Sequence, residues 1–132
     1  MDKKEFLDMV KYTEKNQLGL DFDGVIHKNS KGFHDGTIYD EPLDGAVESV
    51  KYLNKILGYD LVIYTCKANP KRPLVNGKTG IELVWEWLSK YGIKDNVKDV
   101  TYIKPNAVAY IDDKGIRFNN WKDCIEEIRR IV

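Results

Sequence analysis

The chain has 132 residues, 42% of them hydrophobic and 11% aromatic, enough for one domain that buries about two-thirds of its unfolded surface without disulfides or a structural metal. Twenty-one Lys and Arg balance 21 Asp and Glu, which argues against a protein whose main task is to coat nucleic acid or a membrane, because both require a basic excess. Cys66 and Cys124 make no CxxC, the opening MDKKEFLDMVKYTEK is dominated by charge, and apolar runs are short. Neither a zinc site, a disulfide framework, a signal peptide nor a membrane span is expected, and reduced thiols in a cytoplasmic protein are the corresponding reading.

In chain order, Phe6, Met9, Val10 and Thr13 share a helical face, and Leu18-Gly-Leu20 is a short apolar strand that ends in Asp21. Residues 25–42 are rich in Gly, His, Asn and Asp with scattered apolar positions, the pattern of a β-hairpin or flap. Asp44 is placed to cap a helix on which Val47, Val50, Leu53 and Leu57 repeat, and Gly58 supplies the left-handed position at its end. Asp60 to Thr65 is a continuous apolar strand of the kind buried on both faces of a parallel sheet.

A loop over residues 67–80 carries two prolines and four cations, after which Ile81, Val84, Trp85 and Leu88 set the face of a second helix. Trp85 and Trp87 cannot both face the core of that helix, which leaves one at a surface, against a neighbouring loop or at a dimer contact; a homodimer is compatible with this. Val100 to Ile103 and Ala107 to Ile111 read as strands. A last helix begins near Asn120 and is expected to bury Trp121, Cys124, Ile125, Ile128 and Val132. No repeat or linker divides the chain, so residues 1–132 read as a single α/β domain, a three-layer sandwich around a mainly parallel Rossmann-like sheet.

In such sheets ligands bind beyond the carboxyl ends of the strands. Those ends are polar here: Asp21-Phe-Asp23-Gly24 after the first strand, Thr65 after the second, Lys104 after a later one, and Asp112-Asp113 after the last. With 13 Asp in the chain a DxD is expected about 1.3 times by chance. Composition therefore says little, and the placement of each group at the close of an apolar strand says more. Taken singly, Asp21 and Asp23 also fit a turn and cap, Asp112-Asp113-Lys114-Gly115 an ordinary turn, Thr65 a strand residue, and Lys104 a solvated strand end.

Together, LGLDFDGVI, LVIYT, Lys104 and AYIDD resemble, in order, the four motifs of the haloacid-dehalogenase-like (HAD) phosphohydrolase superfamily, and DDKGIRFNNW is similar to its small, nearly capless members. The resemblance implies a HAD-like fold with Asp21 as the nucleophile that forms an aspartyl phosphate and Asp23 as general acid and then base. It implies Mg²⁺ bound by Asp21, the backbone carbonyl of Asp23 and Asp112, with Asp113 orienting from behind or sharing the role. Lys104 would offset charge on the nucleophile and phosphoryl oxygens, and the Thr65 hydroxyl would donate to a phosphoryl oxygen. Because two carboxylates two residues apart do not both ionise cheaply, the one less neutralised, Asp23, is expected to be pushed toward a usable pKa.

Gly24 gives the backbone room to approach phosphate, and Gly24, Cys66, Lys67 and Arg72 mark the expected substrate-binding edge. Cys66 is expected to be a small buried residue rather than a second nucleophile, and His27 and His34, without ligand spacing, to face solvent or substrate. Only a flap (25–42) and a loop (67–80) stand where the superfamily inserts caps. An open site suits a bulky phosphorylated partner, such as a nucleotide, a nucleic acid end, a sugar phosphate or a phosphoprotein, or one closed by a second subunit. Lys67, Lys71, Arg72 and Lys78 would supply positive charge at the mouth.

Two further readings remain. A signalling receiver domain has similar parts, but it keeps its acid pair early and its lysine last, whereas here the DxD opens and the DD closes. A HAD-like protein that only binds, or that transfers phosphate to an acceptor other than water, would carry the same motifs.

Overall fold

The computed structural model describes residues 2–4 and 16–131. The helix expected over Phe6 to Thr13 lies outside the described residues, as does Val132. Four strands form one all-parallel sheet: β1 (Gln17–Asp21), β2 (Asp60–Tyr64), β3 (Asp99–Thr101) and β4 (Ala109–Ile111), in the spatial order β3-β2-β1-β4. The chain winds outward from β1 through β2 to β3 and then returns past β1 to lay down β4, so the strand order reverses between β1 and β4. That reversal opens a crevice at the carboxyl ends of these two strands.

Three helices accompany the sheet among the described residues: α1 (Ala46–Lys51), α2 (Gly80–Lys90) and α3 (Trp121–Ile131). Leu18, Leu20, Leu61, Ile63 and Val100 project from one face of the sheet. They join Ala46 and Val50 of α1 and Val84, Trp87 and Leu88 of α2 in one buried cluster. Fully burying each large aliphatic side chain contributes about 2 kcal/mol, so this face holds the domain together. A parallel α/β domain is therefore present, and no helix among the described residues is long and apolar enough to cross a membrane.

Local chemistry explains where elements start and where several expectations fail. Thr79 and Glu82 form a reciprocal capping box at the start of α2, the kind of cap that stabilises by about 1 kcal/mol. α1 has no such side chain. Gly45, in the left-handed region at φ 83°, stands at its start, and Asp44 does not cap it. After Lys51 the chain widens into a π-helical turn over Tyr52–Ile56, closed by Leu57 N–H donating to Tyr52 O. The extra residue in that turn rotates the helical face, leaving Leu57 half-exposed although it shares a 3.6-residue stripe with Val50. Gly58 is left-handed, as its position requires.

The flap is not a pair of strands. Isolated bridges join His27 to Asp23 and to Pro42, and side chains close the remainder: Tyr39 Oη donates to Gly32 O and accepts from Lys31 N–H, while Asp40 accepts from Ser30 N–H. With so many Asx and glycine positions, side chains satisfy the backbone in place of a ladder.

On α2, Trp87 is buried and Trp85 is half-buried against the core, so the helix turns neither indole fully outward. α3 forms where expected, with Asn120 accepting from Asp123 N–H at its start. Its apolar stripe is exposed rather than buried: Trp121 is 70% exposed, and Ile125, Ile128 and Ile131 are also open. Cys124 is only partly covered. Amphipathic spacing specifies a face that gains from cover but not what supplies it, and none of the described residues of α3 is buried.

Candidate active site

The register of the sheet assembles the carboxylates. Leu20 of β1 pairs with Ile111 of β4, so Asp21 and Asp112, one residue further on each strand, leave neighbouring strands at the same level. Oxygen atoms of Asp21, Asp112 and Asp113 all lie within 4.8 Å of one another. Three carboxylates this close repel, and the cluster could hold a metal ion, for which hard oxygen donors suit a small divalent cation.

Glycine conformation makes this arrangement possible. Gly24 has φ 84°, and a Cβ built on it would stand 2.3 Å from Asp113 Oδ2. Only glycine admits both that backbone and that carboxylate. In this structure the space it leaves is occupied by Asp113.

The surroundings of the first two acids are opposite. Asp21 accepts the Phe22 N–H at 2.9 Å. Its carboxyl is nevertheless raised from 3.8 to about 6, by burial first and then by the charges of Asp112 and Asp113. Asp23 turns away from the acid cluster. His27 Nδ1 lies 2.8 Å from its Oδ1, and Lys67 Nζ donates to its Oδ2 at 2.6 Å. Burial alone would raise Asp23, but the hydrogen bonds and charge of these partners outweigh it and hold the carboxyl below the usual range. The order expected from the sequence is reversed: in the metal-free chain Asp21, not Asp23, has the elevated pKa.

The cation and hydroxyl groups are placed by the next strand. Thr65, buried at the end of β2, accepts the Lys67 N–H and so starts a short 3-10 turn over Cys66–Ala68. That turn points Lys67 inward, where its side chain is 9% exposed. It leaves Cys66 exposed, contrary to the expected burial, while Lys67 and Ala68 of the same turn face inward; at three residues per turn one of the three side chains points away from the other two. A Cβ on Gly80 would stand 1.5 Å from Lys67 O, so the start of α2 lies directly against the backbone of this lysine.

Lys104 is elsewhere. Its Nζ lies 4.1 Å from the centroid of Tyr110 and 5.9 Å from that of Tyr64. Among the described residues no ion pair joins it to an acid. Tyr64 in turn donates to Asp112 Oδ2 at 3.2 Å, and burial followed by the charge of Asp112 pushes its phenol upward. Arg72 stands over the exposed ring of Phe33, 5.4 Å from its centroid, where the loop meets the flap.

The structure therefore brings together Asp21, Asp112, Asp113 and Gly24 on one side, and Asp23, Thr65 and Lys67 on the other. Among the described residues, no hydrogen bond or ion pair joins Lys104, Cys66 or Arg72 to these carboxylates. Sequence reading missed two groups. Tyr64 reads only as one more apolar strand position. His27 is fully buried rather than facing solvent or substrate, whereas His34 is exposed. The available signal for His27 was its place four residues after Asp23, behind the apolar pair Val25-Ile26. The chain matches no protein-family model, no curated protein and no solved structure.

Proposed function

We propose that the chain is a Mg²⁺-dependent phosphomonoester hydrolase with a HAD-like fold. The observation that carries this reading is the division of the DxD pair: Asp21 joins the acids at the β1/β4 crevice, while Asp23 is withdrawn into a histidine and lysine environment. A nucleophile needs an ionised oxygen facing the phosphorus, and an acid/base group needs a separate, oriented carboxyl. Two residues of chain supply both.

In the proposed reaction an Asp21 carboxylate oxygen attacks phosphorus and the ester P–O bond breaks. Asp23 acts in its protonated form, the minority form in the metal-free chain because His27 and Lys67 favour the carboxylate, and gives that proton to the departing oxygen. Asp23 then takes a proton from water, whose oxygen attacks the aspartyl phosphate, releasing inorganic phosphate and restoring Asp21. Asp21, Asp112, Asp113 and the backbone carbonyl of Asp23 would hold Mg²⁺, which supplies positive charge against the phosphoryl oxygens. Lys67, already at Asp23, and Lys104, over the rings of Tyr64 and Tyr110, are the cations that would offset the remaining charge, and the Thr65 hydroxyl would donate to a phosphoryl oxygen. The flap and the 67–80 loop leave the site open to a bulky ester, such as a nucleotide or a phosphorylated polymer end.

The test is release of inorganic phosphate from an aryl phosphate, with Mg²⁺ and with chelator. Wild type should turn over only with Mg²⁺, and Asp21→Asn and Asp23→Asn should each lower the rate by about 10³-fold. Absence of turnover in a folded protein that binds Mg²⁺, or full activity of Asp21→Asn, would contradict the proposal.

A further inference from the structure

The hydrogen bonds around His27 define its protonation as well as its position. Its ring is fully buried, stacked on Phe22 with centroids 5.4 Å apart and met edge-on by Tyr39 and Trp87. The Asp40 backbone N–H donates to Nε2 at 3.1 Å. A nitrogen that accepts from an N–H carries no proton of its own, so the ring is neutral and its one hydrogen is on Nδ1, which donates to Asp23 Oδ1 at 2.8 Å.

Asp40 is itself held, because Trp87 Nε1 of α2 donates to its carbonyl at 2.9 Å. Around the other side, Gly24 N–H donates to His27 O and His27 N–H to Phe22 O, so the turn that follows β1 folds the histidine back onto the second acid of the pair. A continuous set of contacts thus runs from α2 through the base of the flap to one oxygen of Asp23, while Lys67 holds the other.

We propose that His27 is a positioning residue: as a neutral Nδ1–H imidazole locked by the Asp40 N–H, it fixes the orientation of the Asp23 carboxyl without itself giving or taking a proton in turnover. This deepens the phosphatase reading and rests on it for its kinetic consequence. Each Asp23 oxygen keeps a second lone pair, so the clamp orients the acid without blocking it. An acid/base group held this way is already in place when the ester binds.

Two measurements test the proposal. In the metal-free wild type, long-range ¹H–¹⁵N NMR of the His27 ring should show Nδ1 protonated and Nε2 bare. The commoner Nε2–H form, or a doubly protonated ring, overturns it. In kinetics with an aryl phosphate and Mg²⁺, His27→Phe keeps a flat ring in the aromatic box but deletes both hydrogen bonds. It should lower kcat about 10- to 100-fold with KM little changed.

His27→Asn, whose amide N–H can stand near the Nδ1 position, should recover most of that loss. On an Asp23→Asn background His27→Phe should cost nothing further. Equal losses with and without Asp23, or no recovery with Asn, would mean a merely structural histidine. If the wild type itself turns over no phosphomonoester, the phosphatase reading fails separately, and the ring NMR still decides the tautomer. The ring NMR likewise decides if His27→Phe does not fold.

Discussion

Asp21 and Asp23 are the same residue type, two positions apart in one turn, yet the acid side and the basic side of this site treat them oppositely. On the acid side, strand register sets Asp21 beside Asp112 and Asp113, and its carboxyl holds its proton to about pH 6. On the basic side, a tight turn after β2 and the base of the flap bring Lys67 and His27 to Asp23, which stays ionised to lower pH. The lesson is that a motif such as DxD names the acids but not their proton affinities. The elements that arrive later in the chain set those.

The strongest way to break the contrast is through the backbone that carries Lys67. Gly80→Ala places a methyl 1.5 Å from Lys67 O, and neither helix nor turn yields easily. A loss of about 3 kcal/mol or more is expected in chemical denaturation, with outright misfolding the extreme.

Next is Lys67→Met, which keeps the stem of the side chain and removes its charge. It strands a partly buried carboxylate and should cost about 2 kcal/mol at pH 7. Because Asp23 has a depressed pKa when folded, the stability it contributes is present above pH 3.8 and is lost as pH falls below that value. The cost of Lys67→Met should therefore shrink in acid, as a thermal melt at pH 3 against one at pH 7 will show.

Asp21→Asn acts in the other direction. A carboxyl raised from 3.8 to about 6 binds its proton more tightly in the folded chain, so its favourable contribution is full below pH 4 and is lost as pH rises through 6. Removing the charge should stabilise the metal-free protein at pH 7 by about 1 kcal/mol, once discounted for solvent screening at this half-exposed position. The gain should vanish at pH 4, and Mg²⁺ should stabilise the wild type more than the variant. Equal melting temperatures at pH 7 would remove the acid side of the contrast.

The smallest effect sharpens the roles of the two lysines. Lys104→Ala removes an exposed cation from two tyrosine rings and should change stability by about 0.5 kcal/mol. It should leave the titration of Asp23 unmoved, whereas Lys67→Met should raise it.

Much of the scaffold could be read in advance because it rests on short-range patterns. Continuous apolar runs marked β1 and β2, the 3.6-residue stripe marked α2, and strand ends located Asp21, Thr65 and Asp112 correctly. What escaped depends on contacts between distant segments. The π-helical turn at Tyr52–Ile56 is invisible to a periodicity that assumes 3.6, and it leaves Leu57 half-exposed although that residue repeats at helical spacing with Val50. The stripe on α3 predicts a hidden face, but hiding needs a partner that spacing does not name. His27 looked like a loop residue because its burial comes from Phe22, Tyr39 and Trp87, three rings supplied by three different parts of the fold. Lys67 read as one of several cations in a charged loop. What singles it out is a single turn begun by Thr65 and braced by Gly80.

The division between the two carboxylates is open to direct observation. A ¹³C NMR titration of the side-chain carboxyls in the metal-free protein should find Asp21 titrating near pH 6 and Asp23 below 3.8, with saturating Mg²⁺ moving Asp21 down and leaving Asp23 nearly fixed. Two carboxyls titrating together near pH 4, or Asp23 above Asp21, would contradict the account.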